Sequence, residues 1–321
     1  ARAATRETKT AYLDITMHDE LFASRTTEAD WLRIVTFRNR PGFLDGVRRH
    51  EGTMQPFFAH NLILNRVVTE FWRFQILVFT LYLHYTRDPE SPRSGLTVAN
   101  LQKACGQLGL ASPGRVYAFL NIMKLGGYLK SVRSSIDSRV VHMEPTELFN
   151  GIVEDWNDNI FASVDSVVPE GDLVGLRARH HDLGRQMRLS GAEGLLEGWE
   201  PVGAFPEVFH FVSIDGGWLM MEHLVIKAMR GDSRICIEPV SLNLRTLAKQ
   251  FGGSRSNLMR ALENGYELGL LAAPPRSGSH VVLTPLMACA FLGFMANYLS
   301  FFEHRSAIAL ARITAGSRPQ A

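Results

Sequence analysis

Ser112–Leu129, S-P-G-R-V-Y-A-F-L-N-I-M-K-L-G-G-Y-L, aligns without a gap on Ser254–Leu271, S-R-S-N-L-M-R-A-L-E-N-G-Y-E-L-G-L-L, 142 residues further along the chain. Each copy runs on through a charged turn into a β-like stretch that closes on a proline, V-V-H-M-E-P at Val140–Pro145 and H-V-V-L-T-P at His280–Pro285. A period this long points to duplicated domains rather than a solenoid. Helix, turn, helix and hairpin in that order describe a winged helix. The chain is therefore expected to be mainly α with small β wings: two winged helix-turn-helix domains in one polypeptide, related by a pseudo-twofold.

The flanks extend that reading. Residues 1–52 read as a polar lead-in with one amphipathic piece at Trp31–Phe37, broken at Pro41-Gly42; residues 53–168 and 169–321 then form the two winged-helix domains with their flanking helices. Pro56–Tyr85 carries apolar residues at helical spacing, Leu62, Val67, Phe71, Phe74, Leu77 and Leu81 among them. Arg87–Gly95 is a loop by its Pro, Gly and Ser content. Thr97 is placed to cap a helix over Val98–Gln107, and Ser112 to cap a second, with Pro113 at its first position. Gly126-Gly127 ends that helix, Tyr128–Arg133 and Arg139–Glu144 make two short strands, and a helix resumes near Thr146. Val167–Gly171 reads as the linker; the second copy opens with a helix over Trp218–Met229, and Pro239 and Asn243 bound its next one.

Composition excludes several classes. An apolar fraction of 46% with 21% charged residues describes a folded chain with a large core. The formal charge is only +2, so a nucleic-acid role must rest on local clusters. Cys105, Cys236 and Cys289 lack metal or redox spacing and read as core thiols in a reducing, cytoplasmic setting. The basic N-terminus has no apolar stretch behind it, so no secretory signal is expected there. Leu286–Phe302 is apolar for 17 residues, just short of a membrane span, and is expected to be a helix buried between the two halves.

A helix that reads the major groove needs short polar and basic side chains on its first turns, because base edges offer donors and acceptors flanked by phosphates. Copy one supplies Ser112, Arg115, Asn121 and Lys124; copy two supplies Ser254, Arg255, Ser256, Asn257 and Arg260. On the wings, Arg133, Arg139, Arg276 and His280 would reach backbone or minor groove. Over Ser112–Met143 five basic residues face one acid, a net of +4, whereas Ser254–Pro285 nets +1. The first copy should carry more of the salt-dependent affinity. In copy two, Ala248 is small where the second helix crosses, Gly252 takes the turn, and Leu247, Phe251, Leu258 and Ala261 form the apolar seam. Gly106 and Leu110 stand at the matching places of copy one, whose helix pair is longer or turned less sharply.

These stretches resemble the multiple-antibiotic-resistance regulator (MarR) family of winged-helix transcription factors. The likeness lies in A-S-P-G-R-V, L-G-G-Y-L and D-S-R-V-V-H-M-E-P-T, with Asp137 and Arg139 in the place of that family's acidic and basic wing pair. It covers about ninety residues of each half. Such regulators usually work as homodimers, so the resemblance implies a dimer fused into one chain, a monomer acting as a pseudo-dimer. The second wing, R-S-G-S-H, lacks the acidic partner, and the two wings are not expected to act alike.

The expected function is sequence-specific recognition of double-stranded DNA as a transcriptional regulator. Two unlike recognition helices would read an imperfect inverted repeat from successive major grooves. A plasmid-type replication initiator with tandem winged helices and a protein-interaction module of the segregation and condensation type stand as alternatives. Phe71, Trp72, Phe74, Phe79, Trp218, Phe291, Phe294, Phe301 and Phe302 either line a small-molecule effector pocket between the halves or fill plain core. Asp137 and Arg139 either serve the wing or staple a hairpin. His180-His181-Asp182 and Glu207–His210 are incomplete as ligand sets, so no metal is expected. Nucleophile elbows, phosphate loops and dinucleotide fingerprints are missing, and neither enzyme activity nor a cofactor is expected.

Overall fold

The computed structural model of the chain describes residues 12–60, 71–230, 235–276 and 279–316. It is 65% helical, as the mainly α expectation requires. The N-terminal part holds β1 (Tyr12–Leu13), α1 (Asp19–Ala23), α2 (Glu28–Arg38) and α3 (Phe43–His60). It is less polar in the fold than in the sequence: Phe22, Ile34, Phe37, Phe43, Val47 and Met54 are buried in the larger of two cores. Arg38, 3% exposed, meets Asp19 through two hydrogen bonds of 2.7 and 2.6 Å that place a carboxylate against its buried head, while its Nε has no partner among the described residues. Within the apolar run expected over Pro56–Tyr85, α4 spans Phe71–Tyr85, while Leu62 and Val67 lie outside the described residues.

The first repeat follows its local chemistry closely. Thr97 Oγ1 accepts the Asn100 amide at the start of α5 (Val98–Gln107), and Ser112 accepts the Arg115 amide at the start of α6 (Pro113–Leu125). The hairpin is β2 (Leu129–Arg133) against β3 (Val141–Pro145), antiparallel, with Ser131 opposite Met143. Thr146 caps α7 (Glu147–Asp165). The turn between α5 and α6 is longer than that of the second repeat, and its left-handed residue is Gly109 at φ +66°, one position before Leu110, which aligns with Gly252.

After α7, the expected linker is packed rather than free: Val167 and Val168 are buried, and Pro169–Gly171 makes one 3₁₀ turn. Then come α8 (Leu173–Arg179), α9 (Leu183–Leu196), α10 (Pro206–Val212) and α11 (Gly217–Ala228). A small sheet orders β1, β5 (Ile235–Ile237) and β4 (Met229–Arg230). The second repeat runs β6 (Val240–Ser241), α12 (Leu244–Phe251), α13 (Arg255–Glu267) and β7 (His280–Val281), with β6 antiparallel to β7. Asn243 caps α12 and Ser254 caps α13, and Gly252 takes the turn at φ +75°. Leu247, Phe251, Leu258 and Ala261, the expected seam, are all buried.

The chain closes with α14 (Pro285–Gly316), the one helix among the described residues long and apolar enough to cross a membrane. Its most apolar window is 89% buried by protein, chiefly against α9 and α2, so other helices cover the surface that lipid would otherwise take. Burial pushes the Cys105 thiol up to about 11 and the Cys289 thiol up to about 12, which leaves both as inert core groups. The smaller core gathers α4, α5, α6 and the first hairpin around Leu101, Val116, Phe119, Leu120 and Phe149. One helix serves both cores: α7 gives Phe149, Ile152 and Val153 to the smaller, and Ile160, Phe161 and Val164 to the larger.

Candidate nucleic-acid interface

On α6 the buried positions are Val116, Phe119, Leu120 and Met123, a 3.6-residue stripe facing the smaller core. The opposite side is therefore outward. Ser112, Arg115 and Lys124 are exposed and Asn121 is half-buried. Ser112 accepts one amide at the helix cap, which leaves its O–H donor and its second lone pair for another partner. Tyr117, Ile122 and Leu125 share this outward side and are 55%, 46% and 89% exposed, apolar residues that a reading centred on charge passes over.

The hairpin carries the other cations of the first group. Arg133 is exposed. The Arg139 backbone amide donates to Asp137 Oδ1 at 3.0 Å, while its guanidinium lies 3.8 Å away with a side chain 93% exposed. Asp137 thus shapes the tip through the backbone and leaves the arginine head in solvent. On the hairpin itself, Glu144 stands 3.6 Å from both Arg87 and its cross-strand partner Lys130 and offsets part of the basic surface. His142, on β3, is buried, and desolvation together with the Arg87 charge pulls its pKa below the ordinary imidazole value.

The second group is sparser. Arg255, Ser256 and Arg260 are exposed on α13, with Ser254 engaged as the cap. Asn257 Oδ1 accepts from Arg260 Nη2 at 2.8 Å, which ties two of the expected base-reading side chains to each other. Arg276 and His280 are exposed on either side of residues 277–278, which lie outside the described residues. Among the described residues no hydrogen bond or ion pair joins the first group to the second, and each belongs to a different core. His210, singled out in the sequence, meets the Ala261 carbonyl at 2.8 Å; among the described residues no three His, Cys, Asp or Glu side chains converge as metal ligands.

A second feature lies where the two cores meet. A cavity of about 170 Å³ opens between α3, α4, α7, α9, α11 and α14, lined by Phe71, Phe74, Trp218, Phe294, Phe301 and Phe302 of the aromatic set marked in the sequence. Trp72, Phe79 and Phe291 of that set do not line it: Trp72 packs on Phe209 with ring centroids 5.8 Å apart, and the other two are buried in the cores. Sequence reasoning missed the polar members of the wall, among them His50, Gln75 and Arg188. His50 Nδ1 lies 2.6 Å from Glu222 Oε1, a pair separated by 172 residues, and no local signal links them.

No protein-family model, curated protein or solved structure matches this chain.

Proposed function

We propose that the chain binds double-stranded DNA as a transcriptional regulator, through two non-identical winged helix-turn-helix units that act together as a fused pseudo-dimer. One observation carries the reading. α6 and α13 start under serine caps, end on glycines of φ +74° and +73°, and each turn an arginine of the first turn outward, Arg115 from the third helical position and Arg255 from the first. Helices held so alike, each followed by antiparallel pairing, suit the reading of two related half-sites. Arg115, Lys124, Arg133 and Arg139 would serve one, and Arg255, Ser256, Arg260, Arg276 and His280 the other. A DNA partner goes with a cytoplasmic location. The small-molecule effector expected between the halves belongs to the same reading, since α4 packs on α5 and β3 and also walls the cavity.

Footprinting on fragments selected from genomic DNA tests this. Arg115→Ala and Arg255→Ala should weaken protection at opposite half-sites, by one to two orders of magnitude each if the arginines bridge guanine. Equal loss at both half-sites, or no loss, would count against the reading. The exposure of Tyr117, Ile122 and Leu125 favours a second one, a protein-interaction module of the segregation and condensation type. That alternative predicts no specific DNA affinity, and a partner released by Leu125→Ala.

A further inference from the structure

We propose that the outward stripe of α6 docks an amphipathic helix of another protein, one whose apolar ridge is flanked by acidic residues. Val116, Phe119, Leu120 and Met123 are buried, so Ala118, Ile122 and Leu125, spaced i, i+4 and i+7, come together on the opposite side of α6. All three are exposed, Ile122 by 46% and Leu125 by 89%. Leu148, also exposed, stands two residues past Thr146, whose hydroxyl holds the Gly127 carbonyl two residues past Leu125, so the start of α7 meets the end of the stripe. The second repeat supplies the comparison. At the positions 142 residues further on, α13 carries Arg260, Asn264 and Glu267, likewise exposed. Both helices turn these positions to solvent, and only α6 makes them apolar. A run of exposed apolar residues marks a contact with another molecule, whereas scattered single ones do not.

Charge selects the occupant. α6 holds no acidic residue. Arg115 stands at the start of the stripe, on the same side as Ala118 and Ile122, and Lys124 beside its end; neither side chain has an ion pair among the described residues. The neighbouring acids are engaged elsewhere, Glu144 with Arg87 and Lys130 and Asp137 at the hairpin tip, which leaves Glu147 at the start of α7. An apolar ridge rimmed by cations matches a helix whose own ridge is rimmed by carboxylates. A second copy of this chain fits poorly, because two α6 helices packed face to face would oppose cation to cation. DNA would use the cations and leave the apolar residues idle: a recognition helix reads bases from its N-terminal residues, whereas Ile122 and Leu125 stand in the last turn of α6.

The inference rests on the protein-interaction reading above, gives that partner a chemistry, and does not depend on DNA affinity. The probe is a fluorescein-labelled synthetic helix with leucines at i, i+4 and i+7 and glutamates on both flanks, titrated with the full chain and followed by anisotropy. Binding should be saturable and weaken with added salt, and the same helix with lysines on its flanks should not bind. Ile122→Asn combined with Leu125→Glu installs the residues that α13 carries at the matching exposed positions, so the fold should hold while affinity falls roughly tenfold or more. Lys124→Glu should weaken the glutamate-flanked helix and let the lysine-flanked one bind. Absence of saturable binding, equal binding of the two helices, or an undiminished affinity in the double variant would each overturn the proposal. So would a dimer of the free chain that the double variant dissociates, or a double variant that loses DNA affinity and keeps the probe. A natural partner released by Leu125→Ala but lacking acidic flanks would also overturn it, and would leave the protein-interaction reading standing.

Discussion

Thr284 holds Gly269 as Thr146 holds Gly127. The Thr146 hydroxyl donates to the Gly127 carbonyl at 2.7 Å and the Thr284 hydroxyl to the Gly269 carbonyl at 2.9 Å, while the same oxygens accept the amides of Phe149 and Met287 as helix caps at 3.3 and 3.4 Å. Each threonine therefore locks the end of one helix to the start of another across the hairpin. The separations are 19 and 15 residues, so the first hairpin is the longer by four. The prolines that match in the sequence are not equivalent: Pro145 ends β3, whereas Pro285 begins α14.

Replacing either threonine by valine keeps the shape and removes both hydrogen bonds. Thr146→Val and Thr284→Val should each lower the unfolding free energy by about 1–2 kcal/mol, read from urea denaturation midpoints at unchanged slope. A cost at only one of them would mean that the two clasps are not equivalent.

The turn of the second repeat presses on a neighbouring loop. A Cβ added at Gly253 would sit 2.5 Å from the Asp215 carbonyl oxygen, a backbone atom that cannot move aside cheaply. Gly253→Ala should destabilise by about 1–3 kcal/mol. Gly151→Ala, mid-helix in α7 with nothing within 4 Å, should instead stabilise by up to about 1 kcal/mol. Thermal unfolding of the two variants side by side separates steric contact from helix propensity.

Glu154 binds Arg177 at 2.6 Å and Arg188 at 2.8 Å. Burial by itself would raise the carboxyl's pKa, but the two guanidinium groups outweigh it and hold the group below its ordinary value of 4.5. A carboxyl depressed in the folded state contributes stability that is complete above its unfolded pKa and disappears as pH falls through the folded one. Glu154→Gln should therefore cost about 1–3 kcal/mol at pH 7 and progressively less below pH 4.5. A cost independent of pH would show that shape rather than charge is what the site requires.

The hairpin cations should act on affinity through phosphates. Arg133→Ala with Arg139→Ala should lower the slope of log K against log salt by about 2, and Arg276→Ala by about 1, with little change in sequence preference. Unchanged slopes would mean that these side chains point away from bound DNA.

Residues that act within a few positions of themselves were legible. Thr97, Ser112, Asn243 and Ser254 cap helices as their chemistry requires, and Gly252 makes its turn in the left-handed region. α5 and α6 cover the spans that these signals set, Val98–Gln107 and Pro113–Leu125. The N-terminal part was harder to read, because its polar residues hide anchors such as Phe22, whose ring partner Phe205 lies far away in the chain. The aromatic set was legible as apolar but not by role: periodicity marks a side chain as inward and cannot say whether it meets another side chain or a cavity.

By itself, then, the amino-acid order determined where helices start and stop, which of their faces turn inward, and that one pattern recurs after 142 residues, since capping, glycine geometry and helical spacing are set by near neighbours. The tertiary structure alone decided that α7 bridges two cores, that Glu222 stands behind His50, and that an aromatic cavity remains between them. Those features depend on how elements distant in the chain pack together, and close-packing is a property of the assembled whole rather than of any one segment.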